Sequence, residues 1–195
     1  MGKMDQILSA TKNNKAWIGD DGSKRTREKN DFYPTPLGGI LPLLEREKFE
    51  GNIWECACGD GAISKVLTEK GYETYSSDLF DRGFGETGID FLKSDKKFDN
   101  IVTNPPFKLA MDFVYKANEL ATKKYAFLCR INFFEGVARS KMFKSTPLKK
   151  VYIFSRRITF IHPELKHKTH GGGMLAFAWF IWEKGYEGKP YIDWI

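Results

Sequence analysis

Short apolar runs alternate with helical patterns along most of the chain, and glycine, proline and asparagine mark the changes between them. Runs typical of strands occur at 52–57, 73–77, 98–104, 125–130, 151–155 and 174–182. Apolar residues at helical spacing predict helices at 37–44, 63–70, 110–121 and 134–143. Strands that alternate with helices in this way indicate an α/β fold, with a mostly parallel sheet and helices on both faces.

The last two predicted strands, 151–155 and 174–182, break the alternation because no helix is predicted between them. Their connection contains Pro163 and the glycine run 171–173, so we expect an antiparallel hairpin to close the sheet. The final strand is rich in aromatic residues, which are expected in the core rather than on a stacking surface. These residues are Phe177, Trp179, Phe180 and Trp182.

The first 30 residues differ from the rest because they are polar, rich in lysine and arginine, and without periodicity. We expect residues 1–30 to form a basic arm, mobile or loosely docked, and a solvated tail without a role is the alternative. Residues 31–195 then make a single domain. A basic loop is expected as an insertion at about 158–173.

Composition and charge add three expectations. Lysine and arginine outnumber aspartate and glutamate by 31 to 25, and the net charge of +6 favours a polyanionic partner. Three cysteines, with no secretory leader before them, indicate a reducing cytoplasmic location and are expected to be small buried residues. The spacing of Cys56 and Cys58 does not suit zinc, so no metal is expected. No apolar run is long enough to cross a bilayer, and we expect a soluble protein without membrane contact.

A glycine-rich turn at 55–61 joins the first predicted strand to a helix. Gly59 and Gly61 allow a ligand to approach the backbone, and the helix N-terminus supplies free N–H groups. Ser64 occupies the place of the third glycine of the dinucleotide fingerprint, which argues against a pyrophosphate site. Asp78 ends the next strand and can accept ribose hydroxyls, so an adenosine ligand without pyrophosphate fits best. A tight turn that only packs helix against strand is the alternative.

The most distinctive segment is Asn104-Pro105-Pro106-Phe107, at the end of an apolar strand. Two consecutive prolines cannot donate hydrogen bonds to a sheet, so the strand must stop here. They also stiffen the loop, which makes it a rigid holder for the side chains of Asn104 and Phe107. An ordinary strand exit, with Phe107 as a core aromatic residue, is the alternative.

The order of these segments resembles that of the amino-group methyltransferases that use S-adenosylmethionine, above all the adenine-specific (N6) DNA enzymes. The similarity covers residues 31–182. Its elements are Asp31-Phe32-Tyr33-Pro34-Thr35-Pro36, the turn 55–61, Asp78, Asp90-Phe91 and Asn104-Pro105-Pro106-Phe107. The small phage and prophage members are particularly similar, because their tails resemble residues 154–157 and 179–186. The resemblance implies a Rossmann-like class I methyltransferase fold, with a mostly parallel seven-stranded sheet and a C-terminal antiparallel hairpin.

The resemblance also implies which residues bind the cofactor, S-adenosylmethionine. They are Phe32, Tyr33, Pro34, Thr35, Glu55, Gly59, Gly61, Asp78, Asp90 and Phe91. The segment 32–35 would cover the methionine end, and the turn 55–61, through its glutamate and two glycines, would hold the methionine and ribose. Asp78 would bind the ribose hydroxyls, and Asp90 with Phe91 the adenine ring. No metal is implied.

The catalytic residues implied by the resemblance are Asn104, Pro105, Pro106 and Phe107. An exocyclic amine on an aromatic base is a poor nucleophile because its lone pair is delocalised into the ring. The side-chain oxygen of Asn104 and the carbonyl of Pro105 would accept both amine hydrogens and direct the lone pair at the methyl group. Phe107 would stack on a target base that has been flipped out of the duplex.

The resemblance and the charge distribution lead to hypotheses about the methyl acceptor and the residues that contact it. Adenine in DNA is the first hypothesis, and the alternatives are RNA bases, protein glutamine, or a non-enzymatic nucleic-acid-binding module. Basic residues are concentrated between 139 and 170, where we expect phosphate contacts, although a solvated face would look the same. The candidates are Arg139, Lys141, Lys149, Arg156, Arg157, Lys166 and Lys168. Three alternatives are open for sequence specificity: it is relaxed, it comes from the loop 158–173, or it comes from a partner protein. We expect a monomer or weak dimer.

Overall fold

Eight strands form one mixed sheet within residues 34–158 and 175–195, the part of the chain that the computed structural model describes. The strands are β1 (Ile53–Glu55), β2 (Thr74–Asp78), β3 (Glu86–Thr87), β4 (Phe98–Thr103), β5 (Ala121–Arg130), β6 (Leu148–Ile153), β7 (Phe177–Glu183) and β8 (Tyr191–Trp194). Their order across the sheet is β3-β2-β1-β4-β5-β7-β6-β8. β7 runs antiparallel to β5 and β6, whereas the other strand pairings are parallel. The predicted α/β class and the antiparallel closing hairpin are confirmed.

The structure has eight strands where seven were predicted. β3 contains only two residues, in the connection that the sequence marks with glycines. β8 lies at the edge of the sheet beside β6, and all four of its residues are exposed. An exposed edge strand buries no side chains, so it lacks the alternation of apolar and polar residues that identifies a half-buried strand.

Four helices flank the sheet in the described part of the chain. They are α1 (Leu37–Arg46), α2 (Ala62–Glu69), α3 (Ala110–Leu120) and α4 (Val137–Ser145), with short 3₁₀ helices at Phe91–Lys93 and Ile131–Phe134. α4 begins at Val137 and not at 134 as predicted. Gly136, with a φ of 107°, interrupts the chain between the 3₁₀ helix and α4.

Side chains of β5 alternate between two buried clusters, one on each face of the sheet. Tyr125 and Phe127 pack with the apolar side of α3. Ala126 and Leu128 pack on the opposite face with apolar residues of α1 and α2. Helices therefore cover both faces, as the alternation of elements predicted.

The buried aromatic residues of β7 form the centre of both clusters. Phe177, Trp179, Phe180 and Trp182 are all buried, which confirms that they belong to the core. The indole N–H of Trp179 donates to the carbonyl oxygen of Gly39 at 2.6 Å and ties α1 to the sheet. The three cysteines are buried with free thiols, as expected. None of the helices in the described ranges is long and apolar enough to cross a membrane.

The direction of the sheet order reverses between β1 and β4. From β1 the chain proceeds outward to β2 and β3, and then returns to add β4 on the other side of β1. In such sheets ligands bind outside the carboxyl ends of the strands at the reversal. Glu55 ends β1, Asp78 ends β2, and the loop 104–107 follows β4 directly. The fold thus brings the predicted cofactor and catalytic segments to one edge of the sheet.

The opposite edge carries a buried cluster of charged residues around Glu47. Lys124 lies 3.1 Å from the Glu47 carboxylate, the Tyr152 hydroxyl donates to it at 2.7 Å, and Lys150 donates a further hydrogen bond. Burial acts to raise the pKa of Glu47, but these hydrogen bonds outweigh it and the pKa is lowered. The cluster joins the beginnings of β5 and β6 and lies far from the candidate site.

Candidate active site

A cavity of about 540 Å³ opens at the carboxyl ends of β1, β2 and β4. Its volume lies within the roughly 300–1,000 Å³ that is usual for ligand sites. The predicted residues that line it are Pro34, Thr35, Glu55, Gly59, Asp78, Asp90, Phe91, Asn104 and Pro106. Phe32 and Tyr33 lie outside the described residues. The structure therefore gathers most of the predicted site, and the role of each residue stays a prediction.

Asp78 is held in place by two backbone N–H groups. Its Oδ2 accepts from Gly59 at 2.9 Å, and its Oδ1 accepts from Phe80 at 2.9 Å. A carboxylate offers about four acceptor positions, so both oxygens can still accept ligand hydroxyl groups. The side chain is oriented before any ligand arrives.

Glu55 is buried beneath the N-terminus of α2. Its Oε2 accepts the backbone N–H of Ser64 at 2.7 Å, and the Ser64 hydroxyl donates to the same oxygen. Gly61 is the N-cap of α2 and has no side chain to fill this role, so Glu55 caps the helix from β1. Burial raises the pKa of Glu55 to about 8, and the charges of Asp60 and Asp78 act in the same direction.

Gly61 adopts a φ of 79°, in the left-handed region that favours glycine. A Cβ at this position would lie 2.4 Å from the Phe84 ring. The residue does not belong to the cavity lining, and the contact that requires glycine here is the one with Phe84. Its predicted contact with the cofactor stays a prediction.

Apolar side chains form the wall of the cavity next to Asp90. The Phe91 ring is buried, with its centroid 4.8 Å from that of Phe113 and 5.2 Å from that of Trp54. The Asp90 carboxylate accepts the backbone N–H of Leu92 at 3.1 Å and keeps the 3₁₀ helix in place. An apolar wall of this kind suits an aromatic ligand ring.

The sequence prediction missed several residues of this lining. They are Cys56, Ala57, Cys58, Asp60, Ala62, Ile63, Leu79, Phe80, Arg82, Ile89, Leu92, Lys108, Leu109 and Phe113. Leu79 and Phe80 directly follow the strand-ending Asp78, so their position could have identified them. Lys108 and Leu109 likewise follow the loop 104–107. Cys56, Ala57, Cys58 and Asp60 lie within the turn 55–61, which the sequence analysis identified without naming them as site residues. The remaining residues are brought in by neighbouring elements, without a comparable local signal.

The loop after β4 divides its residues between two cavities. Asn104 and Pro106 line the large cavity, and the Asn104 side-chain nitrogen donates to Thr35 Oγ1 at 3.1 Å. Phe107 instead lines a second cavity of about 210 Å³. Its ring centroid lies 4.4 Å from the Arg130 guanidinium carbon. Pro105 does not belong to the lining of either cavity, and its predicted role rests on its backbone carbonyl.

The predicted basic residues separate into two groups. Arg139 lines the second cavity, Lys141 lies on the same helix, and residues 156–157 follow β6 at the carboxyl edge of the sheet. Lys149 lies near the start of β6, at the opposite edge, where its ammonium is 2.8 Å from Glu183. The structure thus does not bring Lys149 together with the others. Lys166 and Lys168 lie outside the described residues.

The sheet order, the reversal between β1 and β4 and the antiparallel β7 define the fold of the class I S-adenosylmethionine-dependent methyltransferases, as comparison with solved structures shows. The predicted fold class is therefore confirmed. No protein-family model matches the sequence, and no curated protein matches it significantly. The similarity to known proteins is therefore one of structure.

Three crystal structures illustrate the shared fold. The type I restriction-modification methyltransferase subunit from Streptococcus thermophilus has a TM-score of 0.60 and 14% identity, over 83% of this chain and 47% of that subunit. A Pyrococcus horikoshii protein, provisionally named as an RNA methyltransferase, has a TM-score of 0.61 and 14% identity, over 80% of this chain and 88% of that protein. Magnesium protoporphyrin IX methyltransferase from Synechocystis, with bound S-adenosylhomocysteine, has a TM-score of 0.51 and 13% identity, over 74% and 78%. The matched region thus spans about half of the Streptococcus subunit.

Proposed function

We propose that this protein transfers a methyl group from S-adenosylmethionine to the exocyclic N6 amino group of adenine in DNA, with the target base flipped out of the duplex. The observation that carries the proposal is the position of Asn104. It follows β4 at the wall of the large cavity, on a loop with two prolines, and its amide is oriented by Thr35. An amide at this point can bind an amine beside a cofactor.

The lining of the cavity fits S-adenosylmethionine, which carries a positive sulfonium and a positive ammonium group. Four acidic residues contribute to the lining, Glu55, Asp60, Asp78 and Asp90, against two basic residues. Burial raises the pKa of Glu55 to about 8, and the charges of Asp60 and Asp78 act in the same direction. A cation beside these two aspartates would therefore be electrostatically favoured, whereas Glu55 itself is neutral below this pH. When bound, the cofactor supplies an electrophilic methyl group.

The residues of the chain have distinct parts in this proposal. Asp78, already oriented by two backbone N–H groups, would accept the ribose hydroxyls. Asp90 and Phe91 would bind the adenine ring at the apolar wall, and Gly59 would allow close approach of the ligand to the backbone. Pro34 and Thr35 would cover the methionine end.

On the acceptor side, positioning does most of the catalytic work. The Asn104 oxygen and the Pro105 carbonyl would accept the two amine hydrogens and turn the nitrogen lone pair toward the methyl group. Fixed dipoles aimed in this way need no reorganisation during the reaction, and removal of one such group typically costs about 10²- to 10³-fold in rate. The amine can lose its proton after transfer, so the proposal requires no buried base.

Support for a nucleic-acid acceptor comes from charge and from the comparisons. The chain has a net charge of +6, and Arg130 and Arg139 lie beside the catalytic loop. DNA is favoured because the order of motifs resembles the adenine-specific DNA enzymes, and because the fold is shared with a restriction-modification methyltransferase subunit. RNA is the second candidate, since the fold is also shared with the Pyrococcus protein named for RNA.

To test the proposal, the protein is incubated with S-adenosylmethionine labelled in the methyl group and with one acceptor in each reaction. The acceptors are DNA, RNA and a protein. After digestion of the DNA to nucleosides, the label should be found in N6-methyl-2′-deoxyadenosine. Label found only in RNA or in protein would contradict the DNA proposal and support the corresponding alternative. An absence of cofactor binding in calorimetry would instead favour a non-enzymatic module.

A further inference from the structure

The second cavity lies beside the catalytic loop and has a different character from the first. Its volume is about 210 Å³, below the range that is usual for sites of whole ligands. Phe107, Arg130, Asn132 and Arg139 contribute to its lining, together with Lys108. Lys108 lines both cavities. The two cavities therefore adjoin at the residue that follows Phe107.

Three cations meet in this small space without a balancing acid. Within residues 34–158 and 175–195, Lys108, Arg130 and Arg139 form no salt bridge. Three adjacent positive charges without counter-charge repel one another, and they gain energy when an anion enters between them. The lining is therefore suited to an anion.

The two arginines are also fixed in position. The Arg139 guanidinium donates to the carbonyl oxygens of Asn132 at 3.1 Å and Glu135 at 3.2 Å. The Arg130 guanidinium carbon lies 4.4 Å from the centroid of the Phe107 ring, an arrangement that favours a cation over an aromatic face. Such contacts leave other N–H groups of each guanidinium for a ligand.

Arg130 contributes a second observation that indicates a ligand. Its Nε is buried and forms no hydrogen bond with any part of the chain that the structure describes. A buried N–H group without a partner is costly, and an ion or ligand that accepts its hydrogen bond would remove this cost. Burial raises the pKa of the neighbouring Cys129, while the charge of Arg139 acts to lower it, so this charge lies close to the cavity wall.

We propose that the second cavity binds one backbone phosphate of the nucleic-acid acceptor, next to the target nucleotide, with Arg130 as its principal ligand and Arg139 and Lys108 as supporting charges. The inference rests on the proposed function, because it assumes a nucleic acid at Asn104. The guanidinium groups match a phosphate in charge and geometry. A phosphate held beside Phe107 would fix the backbone on either side of the base that enters the catalytic loop.

The experiment measures binding of the full chain, saturated with S-adenosylhomocysteine, to a fluorescent oligonucleotide with a single adenine. We expect Arg130→Gln to weaken binding about tenfold and to reduce the slope of log K against log salt by about one, as loss of one phosphate contact does. Arg130→Lys should recover part of the affinity and part of the salt dependence. Arg46→Gln is the matched control, because it removes the same charge at the end of α1 next to Glu47, and it should leave both quantities unchanged.

A second measurement identifies the phosphate. Each phosphate around the adenine is replaced in turn by a neutral methylphosphonate. At one position the replacement should weaken binding by the same factor as Arg130→Gln, and the two changes together should cost no more than either alone. Additive losses at every position would overturn the inference.

The two proposals fail in different ways. If the wild-type protein methylates DNA while Arg130→Gln retains the wild-type affinity and salt slope, the phosphate site is refuted and the proposed function stands. If the wild-type protein transfers no methyl group to any nucleic acid, the proposed function is refuted and the phosphate site with it. Cofactor affinity and the thermal unfolding midpoint of Arg130→Gln show whether the variant is folded.

Discussion

The side-chain nitrogen of Asn104 donates a hydrogen bond to Thr35 Oγ1 over 3.1 Å, although the two residues are 69 positions apart in the sequence. Thr35 precedes α1, and Asn104 follows β4. With its nitrogen directed at Thr35, the amide has a fixed orientation, and its oxygen lies on the other side of the group. Thr35 is therefore a positioning residue for the proposed acceptor contact.

The role of Thr35 is tested by Thr35→Val, which keeps the shape of the side chain and removes the hydroxyl. We expect the turnover number to fall about tenfold because Asn104 loses its orientation, with a smaller change in cofactor affinity. Thr35→Ser restores the hydroxyl and should recover most of the rate. Steady-state kinetics and calorimetry separate the two effects, and an unchanged turnover number in Thr35→Val would refute the positioning role.

Asn104→Ala removes the amide that is proposed to accept an amine hydrogen. Methyl transfer should fall by about 10²-fold or more, whereas S-adenosylmethionine should bind with nearly wild-type affinity. Single-turnover transfer and isothermal calorimetry check the two expectations. Wild-type transfer by Asn104→Ala would contradict the mechanism, and a parallel loss of cofactor binding would show that the residue belongs to the cofactor site.

Asp78→Ala removes the carboxylate that the Gly59 and Phe80 N–H groups hold at the end of β2. Loss of a charged acceptor should weaken cofactor binding by about tenfold to a hundredfold. Asp193→Ala, on the exposed edge strand β8, is the control for a change in charge alone. Equilibrium dialysis measures both variants, and equal affinities for S-adenosylmethionine would exclude Asp78 from the cofactor site.

Glu55 makes the stability of the protein depend on pH. Its pKa is raised by burial from an ordinary value of 4.5 to about 8, so between these values the folded protein keeps a proton that the unfolded chain releases. The free energy of unfolding should therefore fall as pH rises from about 4.5 to about 8, with a slope of up to about 1.4 kcal/mol per pH unit. Glu55→Gln keeps an acceptor for Ser64 and should lose this pH-dependent part of the free energy of unfolding. Urea unfolding of both proteins across the pH range can detect the difference. An identical pH profile in Glu55→Gln would contradict the prediction.

Gly61→Ala combines a strained φ with a collision. A Cβ would lie 2.4 Å from Phe84, so we expect a loss of stability of more than about 2 kcal/mol. Gly71→Ala is the matched control, because its φ is 85° but no atom lies within 4 Å of the added Cβ. That variant should lose only about 1 kcal/mol. Urea unfolding compares the two, and equal losses would show that Phe84 yields without cost.

The sequence predicted the elements that bury side chains and the segments that meet at the carboxyl edge. β1 and β4 have apolar cores, and Asn104 stands out because two prolines follow it. β8 gave no such signal, because all four of its residues are exposed. The predicted helix 110–121 included Ala121, the first residue of β5, and residues 122–124 were assigned to no element because they extend the strand beyond the apolar run.

Contacts between segments that are distant in the sequence could not be predicted from the local pattern of apolar and polar residues. The second cavity joins Phe107, at the end of the loop 104–107, to Arg130 on β5 and Arg139 on α4. Arg139 was identified only by its charge, and Arg130 was not identified as a site residue. Glu47 pairs with Lys124 and Lys150 over separations of 77 and 103 residues. Such pairings depend on the three-dimensional course of the chain, which residue spacing does not encode.

The placement of β7 between β5 and β6 has a consequence for how a protein of this kind can diversify. β6 runs toward the carboxyl edge and β7 starts from it, so β6 ends and β7 begins on the edge of the sheet that carries Asn104. The strand pairings of β6 and β7 involve residues 148–153 and 177–183. A segment exchanged between Ile158 and Leu175 would therefore leave the register of β6 and β7 unchanged, and both junctions of the exchanged segment would adjoin the edge of the sheet that carries Asn104.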